Sequence, residues 1–301
     1  MDDSATARKL PDEKRFRDLS DYARPLAARI AHRLRDSGLT APHVTLVWAI
    51  IGLAGAACYA AGVYALAVVG TLALQTKNVL DAVDGSLARV QRRPSRIGRF
   101  LDTDLDAVVA AALYAALAVA LARERAAGYA AALAGAALVL GLLQGTVFNY
   151  YYVLYRARSG GDTTSHVREG LTAEDEARYL GRPTARALLR GLIAVYNGIY
   201  GWQDELVRRL DGWAARPLTR AGRSDRTREL RDDRRLLTAV SALGPGFQIL
   251  VLNVLTLWGV GRLAMALELF LWIVALGGTL YAAAIILVLR MAARRAVKLE
   301  T

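Results

Sequence analysis

The sequence predicts an all-α, polytopic membrane protein with six transmembrane helices and additional amphipathic interfacial helices. Hydrophobic residue types make up 54% of the 301 residues although 22% are charged, a combination that forces the apolar residues into separate segments. Six Ala/Leu/Val-rich runs stand out, at about 43–62, 64–88, 100–122, 127–155, 237–259 and 263–290, each near the roughly 20 residues that span a bilayer as a helix. The net charge of +12 is also unevenly placed. With six spans, segments 1–42, 89–99, 156–236 and 291–301 share one side and hold nearly all the Arg and Lys, while the other side holds Arg123, Arg125 and Arg262. The positive-inside rule then predicts a multi-pass protein with both termini in the cytoplasm.

Residues 1–42 read as a cytoplasmic segment: a polar tail, then an amphipathic stretch at 12–37 that alternates Arg with Leu, Ile, Ala and Tyr at helical spacing and suits a membrane surface. The first 40 residues are charged throughout, so no cleavable leader is read there. Pro42 stands where a helix tolerates proline, at its first turn. Residues 43–156 form the first four spans. Cys58, the single cysteine, lies in the first of them and excludes an internal disulfide framework or a cysteine metal site. In the fourth, Gly141 and Gly145 form a G-x-x-x-G that reads as a helix contact, and Asn149 and Tyr150 to Tyr152 either line a polar pocket or pack.

Residues 157–236 are an insertion, opening with Ser159-Gly160-Gly161-Asp162 and closing with the charge run 224–235. Its middle, 184–214, has a helical apolar period but is interrupted by Gly191, Gly198, Gly201, Arg190, Asp204 and Glu205. That pattern predicts an interfacial helix or hairpin with Trp202 and Trp213 at headgroup level. Residues 237–290 supply the last two spans and 291–301 a basic tail. The basic stretches carry no stacking-aromatic module, so no nucleic-acid partner is expected; membrane lipids are.

Charges inside spans are the informative ones, because each costs about 2.5–3.5 kcal/mol at mid-membrane. Asp81, Asp84 and Ala88 fall at i, i+3 and i+7 near the end of the second span, and Gly98, Asp102 and Asp106 at i, i+4 and i+8 opening the third. Adjacent antiparallel helices would aim four carboxylates at one another. Like charges that close disfavour joint ionisation, and a hard divalent cation relieves them while completing its shell with phosphate oxygens. Gly85 and Ala88 leave room for a ligand to approach the backbone, and Arg89 offers a fork suited to phosphate. Asp104 lies roughly 200° around the helix from Asp102 and is given no role. A plainer reading makes these aspartates helix-end residues, but the dipole disfavours carboxylates at the C-terminal end of the second span. A carrier that uses intramembrane carboxylates for ion passage is the rival from another class; carboxylates gathered at one face, without counterparts in other spans, argue against it.

The pattern D-x2-D-G-x2-A-R-x8-G-x3-D-x3-D is matched at every fixed position by Asp81, Asp84, Gly85, Ala88, Arg89, Gly98, Asp102 and Asp106, and by it the chain resembles the CDP-alcohol phosphotransferase family. The resemblance implies a Mg²⁺ or Mn²⁺ centre of two ions held by Asp81, Asp84, Asp102 and Asp106, with Asp106 also the base that deprotonates the acceptor hydroxyl. It implies that Gly85, Ala88, Arg89 and Ser95 contact the CDP-linked donor, that an alcohol acceptor attacks it to release CMP, and that the protein is a homodimer with its active site facing the cytoplasm. The donor is then CDP-diacylglycerol or a related CDP-lipid with a polar alcohol as acceptor, or, inverted, a soluble CDP-alcohol with a lipid alcohol. Many members open the first span with Pro-Asn-x-x-Thr; here the segment is Pro42-His43-Val44-Thr45, which leaves His43 either a donor contact or an interfacial histidine. Arg156-Ala157-Arg158 resembles the Arg-Ala-Arg of members that use phosphorylated acceptors, and equally fits positive-inside flanking residues.

Overall fold

Glycines set how closely the first helices pack. A Cβ on Gly52 would come within 2.7 Å of Val109 and 3.2 Å of Lys77, and one on Gly70 within 2.8 Å of Tyr59. Their absence lets α2 (Ala41–Ala60) lie directly against α3 (Tyr64–Val90) and α4 (Arg96–Leu121). The computed structural model describes residues 10, 12–93, 95–160 and 169–298. The polar tail at 1–9, residues 161 and 162 of the expected flexible turn and the last three residues of the basic tail therefore lie outside the described residues. Among the described residues every regular element is a helix, as the sequence predicts.

Ahead of the bundle, α1 (Arg24–Leu34) lays Ala27 and Ala31 on Val83 and Leu87 of α3 and on Val44 of α2. Four segments are long and apolar enough to cross a membrane: α2, α4, α5 (Ala127–Arg158) and the run Leu263–Lys298, which comprises α12 (Leu263–Trp272), a π-helical stretch Ile273–Gly278 and α13 (Thr279–Lys298). A fifth is present if α10 (Arg234–Ser241) and α11 (Pro245–Trp258), bent by 48°, count as one span. The sequence expects six. The difference is α3, which has 27 residues but carries Gln75, Lys77, Asn78, Asp81 and Asp84 in its second half. Neighbouring helices bury Lys77, Asn78 and Asp84, so this polarity faces protein rather than lipid. Outward, Ile50 is 68% and Leu72 64% exposed, apolar surface that a bilayer would cover.

The insertion is not a separate unit. After α6 (Ala173–Arg178), α7 (Pro183–Tyr196) runs through a π-helical turn, Asn197–Gly201, into α8 (Trp202–Arg220) without a break, and α9 (Ser224–Arg231) follows. Leu189, Ile193 and Tyr196 pack on Phe100 of α4, while Val207 and Ala214 pack on Tyr150 and Tyr151 of α5 and on Ile285 and Ile286 of α13. Asp211 is buried beneath this contact, accepting from Tyr150 (3.0 Å), Tyr151 (3.1 Å) and Arg231. Trp202 is exposed, whereas Trp213 is half-buried, its ring 3.8 Å from the Arg290 guanidinium. The headgroup placement expected of both tryptophans therefore fits the exposure of Trp202 alone.

Candidate active site

A five-residue connection turns α3 back into α4, and the Ser95 hydroxyl caps the new helix by accepting from the Gly98 amide at 3.4 Å. The reversal brings the second half of α3 alongside the first half of α4. All eight motif residues, and Ser95 with them, line one cavity of about 440 Å³. Asp81, Asp84 and Asp102 each offer a carboxylate oxygen within 4.8 Å of the other two. Asp84 Oδ2 accepts from Thr45 Oγ1 (2.7 Å) and Trp48 Nε1 (2.9 Å) of α2, which fixes its orientation. Asp102 Oδ1 is buried with no hydrogen-bond partner among the described residues, an arrangement that is unfavourable for a carboxylate unless a cation sits beside it. Three hard oxygen donors around such an orphan suit a divalent ion.

Asp106 stands apart from the other three: its carboxylate pairs with the buried ammonium of Lys77, which lies 4.5 Å from the centre of the Trp48 ring. Sequence reasoning passed over Lys77, Thr45 and Trp48. Lys77 had a signal, because Lys77, Asp81 and Asp84 follow at i, i+4 and i+7 and share a helix face; the donors from α2 to Asp84 had none, being 39 and 36 residues away. Gly85 and Gly98 line the cavity, and a Cβ on Gly85 would meet only the Arg89 guanidinium, at 3.5 Å, so the space beside it is open to the cavity. His43 does not line the cavity; its ring accepts from the Thr40 amide at 3.2 Å and caps α2. Asp104 lies off the cavity too, buried, with neither carboxylate oxygen hydrogen-bonded among the described residues.

The other walls come from five places, among them α2 with Ala41, Pro42 and Thr45. Residues Asp18 to Arg24 cross the mouth, held where the Leu19 amide donates to Ser241 Oγ (2.9 Å) and the Gly246 amide to Ser20 Oγ (3.0 Å). One face of α5 contributes Asn149, Tyr152 and Arg156, the start of α11 contributes Pro245 and Gln248, and the insertion contributes Tyr196 and Tyr200. Tyr150 and Tyr151 turn away, toward Asp211. Arg24, Arg89, Arg93, Arg99 and Arg156 also line the cavity, a positive field around the carboxylates. Arg156 is 5% exposed, with Nε and one terminal nitrogen lacking hydrogen-bond partners among the described residues, and its guanidinium lies 5.5 Å from the Tyr152 ring. Arg158 points elsewhere and pairs with Asp232 at 3.3 Å.

A buried ion-pair cluster docks the insertion on α4: Glu169 takes Arg96 (2.8 Å) and Arg99 (2.7 Å), and Arg96 also takes Asp175. Close by, Asp204 of α8 accepts from the Tyr196 hydroxyl at 3.2 Å. Burial, helped by the nearby Glu169 charge, pushes the Asp204 carboxyl up to about 6, while Tyr196 and Arg99 pull the other way.

Fold and site together define an integral membrane protein of helices whose cavity gathers three carboxylates and five arginines. The sequence profile of the CDP-alcohol phosphatidyltransferase family matches residues 39–189, and the chain belongs to that family. Over 82 residues it is 35% identical to an archaetidylinositol phosphate synthase of Methanothermobacter thermautotrophicus, a stretch covering 27% of this chain and 37% of that relative.

Proposed function

We propose that the protein transfers a phosphatidyl-type group from a CDP-lipid to the hydroxyl of a polar, phosphorylated alcohol, releasing CMP, in phospholipid synthesis. The observation that carries this reading is one cavity holding three convergent carboxylates, the Asp106–Lys77 pair and a buried Arg156 with unpartnered N–H groups. A resident anion-binding guanidinium beside a phosphotransfer centre suits an acceptor that carries its own phosphate, and the relative whose name includes an inositol phosphate product supports the same choice.

Asp81, Asp84 and Asp102 would hold the divalent metal centre, with Asp106 as its fourth ligand; Mg²⁺ or Mn²⁺ there would supply positive charge to the donor's phosphate oxygens and the departing CMP. Gly85 and Ala88 admit the donor to the α3 backbone, and Arg89 and Ser95 address its phosphates. Asp106 accepts the proton of the acceptor hydroxyl. The acceptor oxygen then bonds to the phosphorus remote from cytidine, the bond from that phosphorus to the bridging oxygen breaks, and CMP leaves with the electron pair. Lys77 keeps the Asp106 carboxylate aimed, and Arg156 fixes the acceptor phosphate; positioning and charge complementarity contribute most of the acceleration.

The layout completing this reading has six spans, counting α3 and the bent α10–α11 pair, with the cavity and both termini on the cytoplasmic side and two copies per molecule. A specific observation favours the inverted pairing of a soluble CDP-alcohol with a lipid alcohol: the cavity continues past Asp106 to Ala110, Leu138 and Leu142, room that a small polar acceptor does not use. CMP release by the purified protein with Mg²⁺ and CDP-diacylglycerol, over a panel of inositol phosphate, glycerol phosphate, inositol, serine and glycerol, separates the two. Turnover is expected with a phosphorylated acceptor and is abolished by EDTA and by Asp106→Asn, with donor binding largely kept in that variant. Turnover only with a CDP-alcohol and diacylglycerol establishes the inverted pairing, and an Asp106→Asn protein of wild-type activity removes Asp106 as the base.

A further inference from the structure

The cavity does not end at the carboxylates. Its inner part is lined by Ala110 and Tyr114 of α4, Leu138, Gly141 and Leu142 of α5, and Gln248 of α11. Two helical turns separate Asp106 from Tyr114, about 12 Å of rise, and long helical side chains lean toward the N-terminus, which here is toward Asp106. Tyr114 is 6% exposed and its hydroxyl has no hydrogen-bond partner among the described residues. A buried phenol normally finds an acceptor, so this one is a donor directed at whatever enters the cavity.

Gln248 stands opposite. Its amide nitrogen donates to the carbonyls of Gly141 (3.2 Å) and Leu243 (3.3 Å) and to Gln144 Oε1 (3.4 Å), three acceptors that settle which end of the amide is which. Gln248 Oε1 and the Tyr114 hydroxyl each lie 3.2 Å from the point that a Cβ on Gly141 would occupy, so a glycine there keeps the pocket open. One turn on, a Cβ on Gly145 would meet only Pro245, at 3.9 Å. The Gly141-x-x-x-Gly145 pair, read from sequence as a helix contact, therefore lines the cavity.

We propose that this inner end is a subsite for the chain-bearing end of the lipid substrate, in which the Tyr114 hydroxyl donates to the ester or ether oxygen that joins chain to glycerol. Leu138 and Leu142 form the wall against which the first carbons of the chain lie. The inference deepens the phosphotransfer reading and rests on it. That reading places the reacting phosphorus beside Asp106, and the joining oxygens of a glycerolipid follow within a few bonds of that phosphorus, on the side where the cavity turns apolar. Either lipid partner carries that chemistry, the CDP-lipid donor or a lipid-alcohol acceptor.

Tyr114→Phe removes one oxygen and leaves the packing intact. The test compares purified wild type and variant for thermal stabilisation by CDP-diacylglycerol, by diacylglycerol and by CMP, and for KM in CMP release. The expected result is a loss of about three- to tenfold in apparent affinity for one of the two lipids, the worth of one neutral hydrogen bond, with CMP affinity and kcat unchanged. A loss confined to CDP-diacylglycerol makes the subsite the donor's; one confined to diacylglycerol makes it the acceptor's. Equal lipid affinities in both proteins overturn the proposal and give the inner end to water. Gly145→Leu, which fills the cavity one turn from Gly141, is expected to abolish stabilisation by that lipid while leaving stabilisation by CMP; wild-type lipid binding in it also overturns the proposal. Should the phosphotransfer reading fail instead, the wild type releases no CMP with any acceptor while the binding difference persists.

Discussion

Lys77 sits one and two turns before Asp81 and Asp84 on α3, yet its ammonium pairs with Asp106 on α4 and lies over Trp48 of α2. A buried lysine requires an anion, and a base that must take a proton from one defined oxygen requires a fixed direction; the pair meets both needs. It ties three helices together at the residue that carries the proposed chemistry. Lys77→Met is therefore expected to lower kcat by about 10- to 100-fold, the usual consequence of a reacting group misplaced by about an ångström. KM for the CDP-linked donor should change little, since Asp81, Asp84 and Asp102 keep their own neighbours, and Lys77→Arg should restore part of the rate. A Met variant with unaltered kcat would show that Asp106 needs no such support. By contrast, Thr45 and Trp48 hold Asp84 through ordinary hydrogen bonds, and His43, in the place where many family members carry asparagine, is occupied in capping α2.

At the scale of elements, what could be read from sequence was local. The α3–α4 pair was legible because its eight fixed residues lie on two helix faces separated by one short turn, so periodicity alone brings them together. The insertion was legible as helical and amphipathic, but not the protein partners of its apolar stripe: Leu189, Ile193 and Tyr196 meet Phe100, and Val207 meets α5 and α13. An amphipathic helix looks the same whether lipid or protein covers it, and nothing local marks Glu169 as the partner of Arg96 and Arg99. The docking half-buries Asp204 beside the cavity tyrosines, with a measurable consequence. Its carboxyl, up to about 6 in the fold against about 3.9 in an unfolded chain, binds its proton more tightly when folded. Its favourable contribution is thus complete below about pH 4 and is lost as pH rises through about 6. Asp204→Asn, which keeps an oxygen for the Tyr196 hydroxyl, should stabilise the protein by about 1–2 kcal/mol at pH 8, after discounting for partial exposure, and by nothing near pH 4. Thermal unfolding of both proteins across that range checks it; a pH-independent difference would trace the effect to packing instead.

For the whole molecule, the polar half of α3 decides how the chain sits in a bilayer. Judged alone, α3 is too polar to cross, and a count of four or five spans follows. Judged in place, its polar residues are covered by α1, α2 and α4 or face the cavity, while Val69 and Leu72 in its apolar half are 51% and 64% exposed. A helix is inserted with its neighbours, so the relevant polarity is that of the face left to lipid. The adjoining α4, with 26 residues, rises about 39 Å, beyond the roughly 30 Å hydrocarbon core, and it joins the carboxylate end of the bundle to the end where Arg125 pairs with Glu268 at 2.9 Å. If α3 crosses as α4 does, residues 63 and 92 lie on opposite sides. In a Cys58→Ala background, Val63→Cys should react with a membrane-impermeant maleimide in intact cells, and Arg92→Cys, next to the cavity mouth and on the arginine-rich side, only after lysis. Labelling of both from one side would remove α3 from the spans and expose its lysine and aspartates to a different solvent. The reverse pattern would keep six spans but turn the cavity away from the cytoplasm, and that outcome would overturn the proposed orientation while leaving α3 a span.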